Sequence, residues 1–290
     1  MRHLSALTWL IPLIGILALI AAGAGLFYQT SGQPYAYTNH RGETVTINGR
    51  GLYVYDTLSS AAQMQANDLV TLVVGLPLLV VATGLAFRGS LRGRLLLTGT
   101  LGFFLYTYMS MAFLAAYNAL FLVYVALFSL SLFAFILSIM AFDLAALPAA
   151  FSRHLPRGWI AALLFLVGGF LLVAWLGRIV PPLLQNQDPP LENTTTLVIQ
   201  AMDLGLIVPL ALLSGILLLR ASSWGYLLAS VALMKGLTMG LAVSAMGLNM
   251  ALNEVAVSPA ELVMFPLITL LNLVMAVLLL KHVEGRRPER

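Results

Sequence analysis

The chain has 290 residues, of which 60% are hydrophobic and only 9% charged, and its mean hydropathy is +0.95. So little polar surface cannot cover a water-soluble domain, and the solvent for most of this chain is therefore lipid. The same figures exclude intrinsic disorder, collagen-like repeats and nucleic-acid binding, because the net charge of +4 and pI near 9.5 come from scattered basic residues with no patch to engage phosphates.

A spanning helix needs about 20 largely apolar residues. The chain offers eight such runs, at approximately 4–28, 67–87, 95–116, 119–142, 159–178, 197–219, 225–247 and 260–280. The expected fold class is an all-α polytopic membrane protein with eight transmembrane helices in a single integral membrane domain, 1–290. The first run follows Met1-Arg2-His3 and ends in small residues, Ala21-Ala22-Gly23-Ala24-Gly25, in the manner of a signal peptide. At about 25 residues it exceeds the 7–15-residue core of such peptides, so it is expected to stay as a helix.

Between the first two runs lies the only sizeable soluble element, 29–66, on the extracytoplasmic side. Within Glu43 to Asp56, two alternating β-branched and aromatic stretches flank Asn48-Gly49-Arg50-Gly51, which predicts a small β-hairpin turning at those four residues. Its role is either a structural lid or a flap that contacts a ligand. The third and fourth runs are broken only at Ala115-Ala116-Tyr117-Asn118, where the chain must turn because the whole is too long for one span. After the fifth run, Pro181-Pro182 and Pro189-Pro190 predict a stiff, extended loop.

Lysine and arginine sort by side. With the N-terminus in the cytoplasm, eleven of the fifteen fall inside: Arg2, Arg88, Arg92, Arg94, Arg153, Arg157, Arg220, Lys281, Arg286, Arg287 and Arg290. Arg41, Arg50 and Arg178 fall outside, and Lys235 is left within a helix. Asp143, Glu284 and Glu289 are the inner acids. Both termini are expected in the cytoplasm of an inner (plasma) membrane protein, with Trp159 and Trp224 at the inner boundary and Trp175 at the outer one.

The two halves resemble each other. Asn67-Asp68 leads through Pro77 to Arg88, as Met202-Asp203 leads through Pro209 to Arg220. Pairing the two aspartates requires one short gap. The pattern fits either a parallel 4+4 duplication about an axis along the membrane normal or shared composition alone.

Ionisable residues inside spans are costly and usually face an interior or a cavity. Here they are Asp68, Asp203 and Lys235. At a 1.5 Å rise per residue, Asp203 lies roughly 10 Å and Lys235 roughly 16 Å below the outer surface. A snorkelling lysine spans that difference, so a direct Asp203–Lys235 contact is expected. Gln200 shares the helical face of Asp203. Asn67 and Asp68 open the second helix, Tyr106 lies on the third, and Asn272 on the eighth approaches the depth of Lys235. Asp68, Asp203, Lys235, Gln200, Asn67, Tyr106 and Asn272 thus form the candidate ligand-binding or ion-coupling set, concentrated in the outer half of the bilayer. The structural alternative is that Asp203 and Lys235 only fix packing, with asparagines and tyrosines bonding between helices. Gly236-Leu-Thr-Met-Gly240 reads as a helix-contact motif.

Cysteine is absent, which removes disulfides, thiolate catalysis and cysteine-held metals. His3, His40, His154 and His282 lie outside the apolar runs, so a bis-histidine haem has no seat in the bilayer. Neither a cofactor nor a metal is expected. No His-Glu-x-x-His, Gly-x-Ser-x-Gly, Walker loop or paired aspartate motif occurs, so catalysis would rest on Asp68, Asp203 and Lys235 alone. The leading expectation is a transporter or permease for a small polar or amphiphilic ligand, held in an outward-facing pocket. The other reading is a non-transporting sensor, an assembly partner or an outer-leaflet lipid-modifying enzyme. In both, membrane lipids are the surrounding partners.

Overall fold

The computed structural model describes residues 2–284; Arg286, Arg287, Glu289 and Arg290 lie outside the described residues, as do the side chains of Arg2 and His3. Eight helices are long and apolar enough to cross a membrane. They are α1 (Arg2–Phe27), α2 (Leu58–Phe87), α3 (Leu91–Leu114), α4 (Phe121–Met140), α5 (Arg157–Leu184), α6 (Val198–Leu219), α7 (Ser223–Leu252) and α8 (Pro259–Lys281). Large apolar side chains such as Leu122, Val73, Val80 and Val173 point outward around the bundle. α3 is the most enclosed helix and α7 the next.

Two ends differ from the sequence expectation. α2 begins nine residues early, at Leu58, across a stretch too polar to read as a span. Thr57 caps it by accepting from the Ser60 amide at 3.1 Å, and Ala61, Ala62, Met64 and Ala66 bury one side. α5 runs straight through Pro181-Pro182 to Leu184 in place of the expected extended loop. Proline's fixed φ is helical, and the carbonyls left without donors belong to the helix's last turns, where polar neighbours exist.

The hairpin is present with different partners. β1 (Tyr35–Thr38) pairs antiparallel with β2 (Thr44–Ile47), in register Tyr35 to Ile47 and Thr38 to Thr44, and turns at Asn39–Glu43. Asn48-Gly49-Arg50-Gly51 does reverse the chain, with Gly49 and Gly51 at φ 72° and 64°. The returning segment bonds back through Asn48 N to Asp56 O and Gly49 N to Val54 O but forms no strand. On this face Asn39 and Arg41 donate to the carbonyls of Glu192 and Thr194, which ties the hairpin to the α5–α6 loop.

The helix pairs α2–α3 and α6–α7 share local devices without a gap. Each of a series of local devices recurs 132 residues later. A π turn at Thr71–Gly75 matches one at Asp203–Ile207. Their closing amides, Leu76 and Val208, reach back five residues, to Thr71 O and Asp203 O, immediately before Pro77 and Pro209. Proline has no N–H to continue the ordinary ladder, so the helix absorbs the loss as a local wide turn. Arg88 and Arg220 then end the helices, and Gly89 and Ala221 turn with positive φ. Ser90 and Ser222 precede the next helices. A Cβ on Gly93 would strike the backbone of Leu85 and Ala86, and one on Gly225 the backbone of Leu217 and Leu218. Thr98 and Ser230 each bond the carbonyl one turn back, of Arg94 and Tyr226. The matched devices run in the same direction along both helix pairs, and their register differs from the gapped pairing: Asp203 stands opposite Thr71, and Asp68 opposite Gln200.

The repeat meets at its centre, where α3 packs on α7 through glycines. Gly99 lies against Met234 and Gly102 against the Lys235 side chain. Gly236 and Gly240 do the same for α8, receiving Asn272 and Thr269, as the helix-contact reading expects. Asn249 adds a bond to Ala62 O at 2.7 Å, joining α7 to α2.

The matched turns supply a test of the register. Ala221 holds φ 53°, a conformation that disfavours an L-residue by about 1–2 kcal/mol, whereas Gly89 holds φ 82° without that strain. Ala221→Gly should raise unfolding stability by up to about 1 kcal/mol, net of glycine's greater unfolded freedom, and Gly89→Ala should lower it by about as much. Thermal unfolding of the detergent-solubilised variants measures both.

Candidate functional site

Asp203 opens the π turn of α6 and is buried. The Tyr106 hydroxyl on α3 donates to its Oδ1 at 2.6 Å, and the Trp175 indole N–H on α5 donates to its Oδ2 at 2.9 Å. Lys235 on α7 is 7% exposed and sets its ammonium 3.9 Å from the centre of the Tyr106 ring. The expected Asp203–Lys235 pair is not direct. Among the described residues the ion pair within 4 Å is Arg41–Glu43, at the surface. Tyr106 instead stands between the two charges, its ring facing the cation and its hydroxyl the anion. The ring quadrupole and the phenol dipole both favour this order.

The two ends of this constellation are unequally served. Asp203 receives one donor on each oxygen. The Lys235 ammonium carries three donors and meets no hydrogen-bond acceptor among the described residues, having only the ring beneath it. Asn272 is buried with its amide against Gly236, next to Lys235, and Gln200 lies one turn before Asp203; neither side chain makes a hydrogen bond among the described residues. The unmet capacity thus includes the ammonium's own three donors, with the Asn272 amide against the adjoining Gly236.

Asp68 and Asn67 do not join this group. Asp68 lodges against Gly25 of α1 and accepts from the Tyr53 hydroxyl at 2.5 Å. Asn67 is buried with its Oδ1 unpartnered. The structure therefore brings together Tyr106, Asp203, Lys235 and, through Gly236, Asn272, while setting Asp68 in a second cluster. Trp175 is the contact that sequence reasoning missed. Its place near a span end reads as an interfacial anchor, and nothing in the sequence aligns its indole with a residue on the next helix.

Two clefts open on the opposite face, where α1 begins. One, of about 1340 Å³, is lined by Ser90, Arg92, Arg94, Asp143 and Glu284 among others; the second, of about 420 Å³, by Ser5, Thr8 and Arg94. Arg92 there donates to Val283 O and Arg94 to Ala141 O. Neither lining includes a residue of the Lys235 constellation.

Between hairpin and bundle, Asp56 accepts from the Ala116 amide at 2.9 Å while its other oxygen is buried without a partner. Burial pushes this carboxyl up to about 7, against a weaker opposing pull from the Ala116 bond. Burial, and then the Asp68 charge, hold the Tyr53 hydroxyl well above the usual phenol range.

Two outcomes follow. Because the folded value of Asp56 lies above its unfolded one, the folded state binds more protons, so stability is greatest at low pH and falls as pH rises from about 4 to about 7. Asp56→Asn should flatten that window in an unfolding titration. Tyr106→Phe keeps the ring and loses the bond to Asp203, and should cost about 1 kcal/mol. Tyr106→Leu also strips the ring from a desolvated ammonium and should cost about 2 kcal/mol more; equal losses would show that the ring does not serve Lys235. Comparison of this chain with family models, curated proteins and solved structures returns no match.

Proposed function

We propose that this multi-pass helical membrane protein is a carrier for a small polar or amphiphilic ligand bearing an anionic group, which docks on Lys235 from the hairpin face. One observation carries the reading: a largely buried ammonium on a span-length helix with all three donors unspent. Such a group is expensive to keep there, and apolar packing would replace it at no loss if it only held helices together. A carboxylate or phosphate supplies the missing acceptors and the missing charge. Asp203 does not compete for it, because Tyr106 and Trp175 already serve its oxygens. Asn272 and Gln200 offer further polar contacts.

The parallel repeat and its two proline-linked π turns support movement over a fixed receptor. α2 and α6 each carry the same weakened point, and α6 carries Asp203 on it, so bending there shifts the anion relative to Tyr106 and Lys235. The hairpin loop, tied to the α5–α6 loop through Asn39 and Arg41, is the lid whose release would admit ligand.

The test uses purified protein with a dicarboxylate, a medium-chain fatty acid and a phosphate monoester as probes. At least one should raise the unfolding temperature of the wild type, by the equivalent of about 2.7 kcal/mol at a hundredfold excess over its Kd. Lys235→Met should remain folded and lose the response, and Lys235→Arg should keep part of it. Should Lys235→Met fail to fold alone but fold with Asp203→Asn, the pair is structural and the ligand reading falls. Counterflow of the bound probe in proteoliposomes separates the classes, since binding without flux leaves a non-transporting sensor.

A further inference from the structure

The two intramembrane aspartates are balanced differently. Asp203 has a cation beyond Tyr106. Asp68, 3% exposed, has none: no lysine, arginine or histidine pairs with it among the described residues. The groups that face it from each neighbouring element are neutral or acidic. α1 contributes Gly25, where a Cβ would overlap the carboxylate. The hairpin loop contributes Tyr53, whose hydroxyl donates to Oδ2 at 2.5 Å, a length typical of an O–H bond to an ionised oxygen. α3 contributes Tyr108 and α4 contributes Tyr124, their rings stacked at 6.4 Å and both within electrostatic reach of Asp68. Asp56, beyond Tyr124, adds only further negative charge.

Both of these phenols are buried, Tyr108 to 1% and Tyr124 to 2% exposure; neither hydroxyl makes a hydrogen bond of good geometry, and that of Tyr124 lies toward the side chains of Tyr53 and Asn118. The Oδ1 of Asn67, next in the chain to Asp68, is likewise unpartnered. A carboxylate in hydrocarbon without a counter-charge is costly, and so is each orphaned buried oxygen. Here they occur together, and every unsatisfied atom is an oxygen. Oxygen-only donor sets select hard cations. The single carboxylate supplies one negative charge, and no group of three metal-ligating side chains occurs among the described residues, so the match is to a monovalent ion.

We propose that Asp68, with the hydroxyls of Tyr108 and Tyr124, binds an alkali-metal cation of the sodium class, and that Tyr53 positions the carboxylate from the hairpin side. Tyr53 satisfies one oxygen and leaves the other for the ion. Loop and helices α1, α3 and α4 all converge on this point, so the bound ion would also pin the hairpin loop to the bundle. The site stands on its own residues and does not require the Lys235 reading.

The experiment is thermal unfolding of the purified full chain in sodium, potassium and choline chloride at equal ionic strength, with binding of radioactive sodium as a second measurement. Sodium should raise the unfolding temperature saturably over choline, and Asp68→Asn should abolish both the shift and the binding. Tyr108→Phe keeps the ring stack and removes one oxygen, and should weaken the sodium midpoint about tenfold; it decides the matter if Asp68→Asn does not fold. Identical unfolding in all three salts, or a sodium response that survives Asp68→Asn, overturns the proposal. A response to pH alone that is lost in Asp68→Asn, with none to sodium or potassium, also overturns it and makes the counter-charge a proton.

Discussion

The close approach of α3 to α7 at Gly99 and Gly102 is the constraint on which the rest of this structure depends. A side chain at Gly99 would collide with Met234 and hold the helices apart, and with lipid as solvent no hydrophobic force would draw them back. Their contact brings Lys235 against the α3 backbone at Gly102 and, one turn on, over the ring of Tyr106. Tyr106 in turn reaches Asp203 on α6. One glycine contact at the centre of the repeat thus fixes the geometry among three helices, and a fourth, α5, joins through Trp175.

The repeat explains why the charges sit where they do. Its two halves share turns, caps, prolines and close-packed glycines, all backbone devices that a duplicated chain must keep to fold. Apart from Arg88 and Arg220 at the helix ends, they do not share the charged side chains. Thr71 stands where Asp203 stands, Phe103 where Lys235 stands, and Gln200 where Asp68 stands. Scaffold positions are matched and the polar ones are not, so the two halves carry different chemistry on one architecture. The chain then has two dissimilar buried clusters, one around the Lys235 ammonium and one of a carboxylate among phenol hydroxyls.

Much of this is legible in the sequence. Apolar length is a local property, so all eight spans could be read from composition, and isolated charges inside them singled out Asp68, Asp203 and Lys235. What escaped depends on partners distant in sequence. The first turns of α2 are polar, and only burial against other elements makes them helical. The hairpin signal at Asn48-Gly49 was real as a turn, yet β2 found its partner upstream, because Tyr35–Thr38 offered a better-matched alternation than the coil of Tyr53–Asp56. The repeat was read in the wrong register because the aspartates are the most conspicuous residues, whereas the prolines and glycines carry the correspondence. The sequence sets Asp203 and Lys235 on neighbouring helices at similar levels, but level says nothing about what stands between two side chains.

That interposed ring has an electrostatic consequence. Direct contact would quench both charges, leaving a neutral pair with little affinity for a third group. A phenol ring between them keeps the attraction partial: the cation is held in place by the ring face, and its own N–H donors stay free. The anion is held by hydroxyl and indole, so removing it from the lysine leaves it solvated by fixed dipoles. Asp203 sits on the proline-linked π turn of α6, while the Lys235 stem lies against α3 at Gly102.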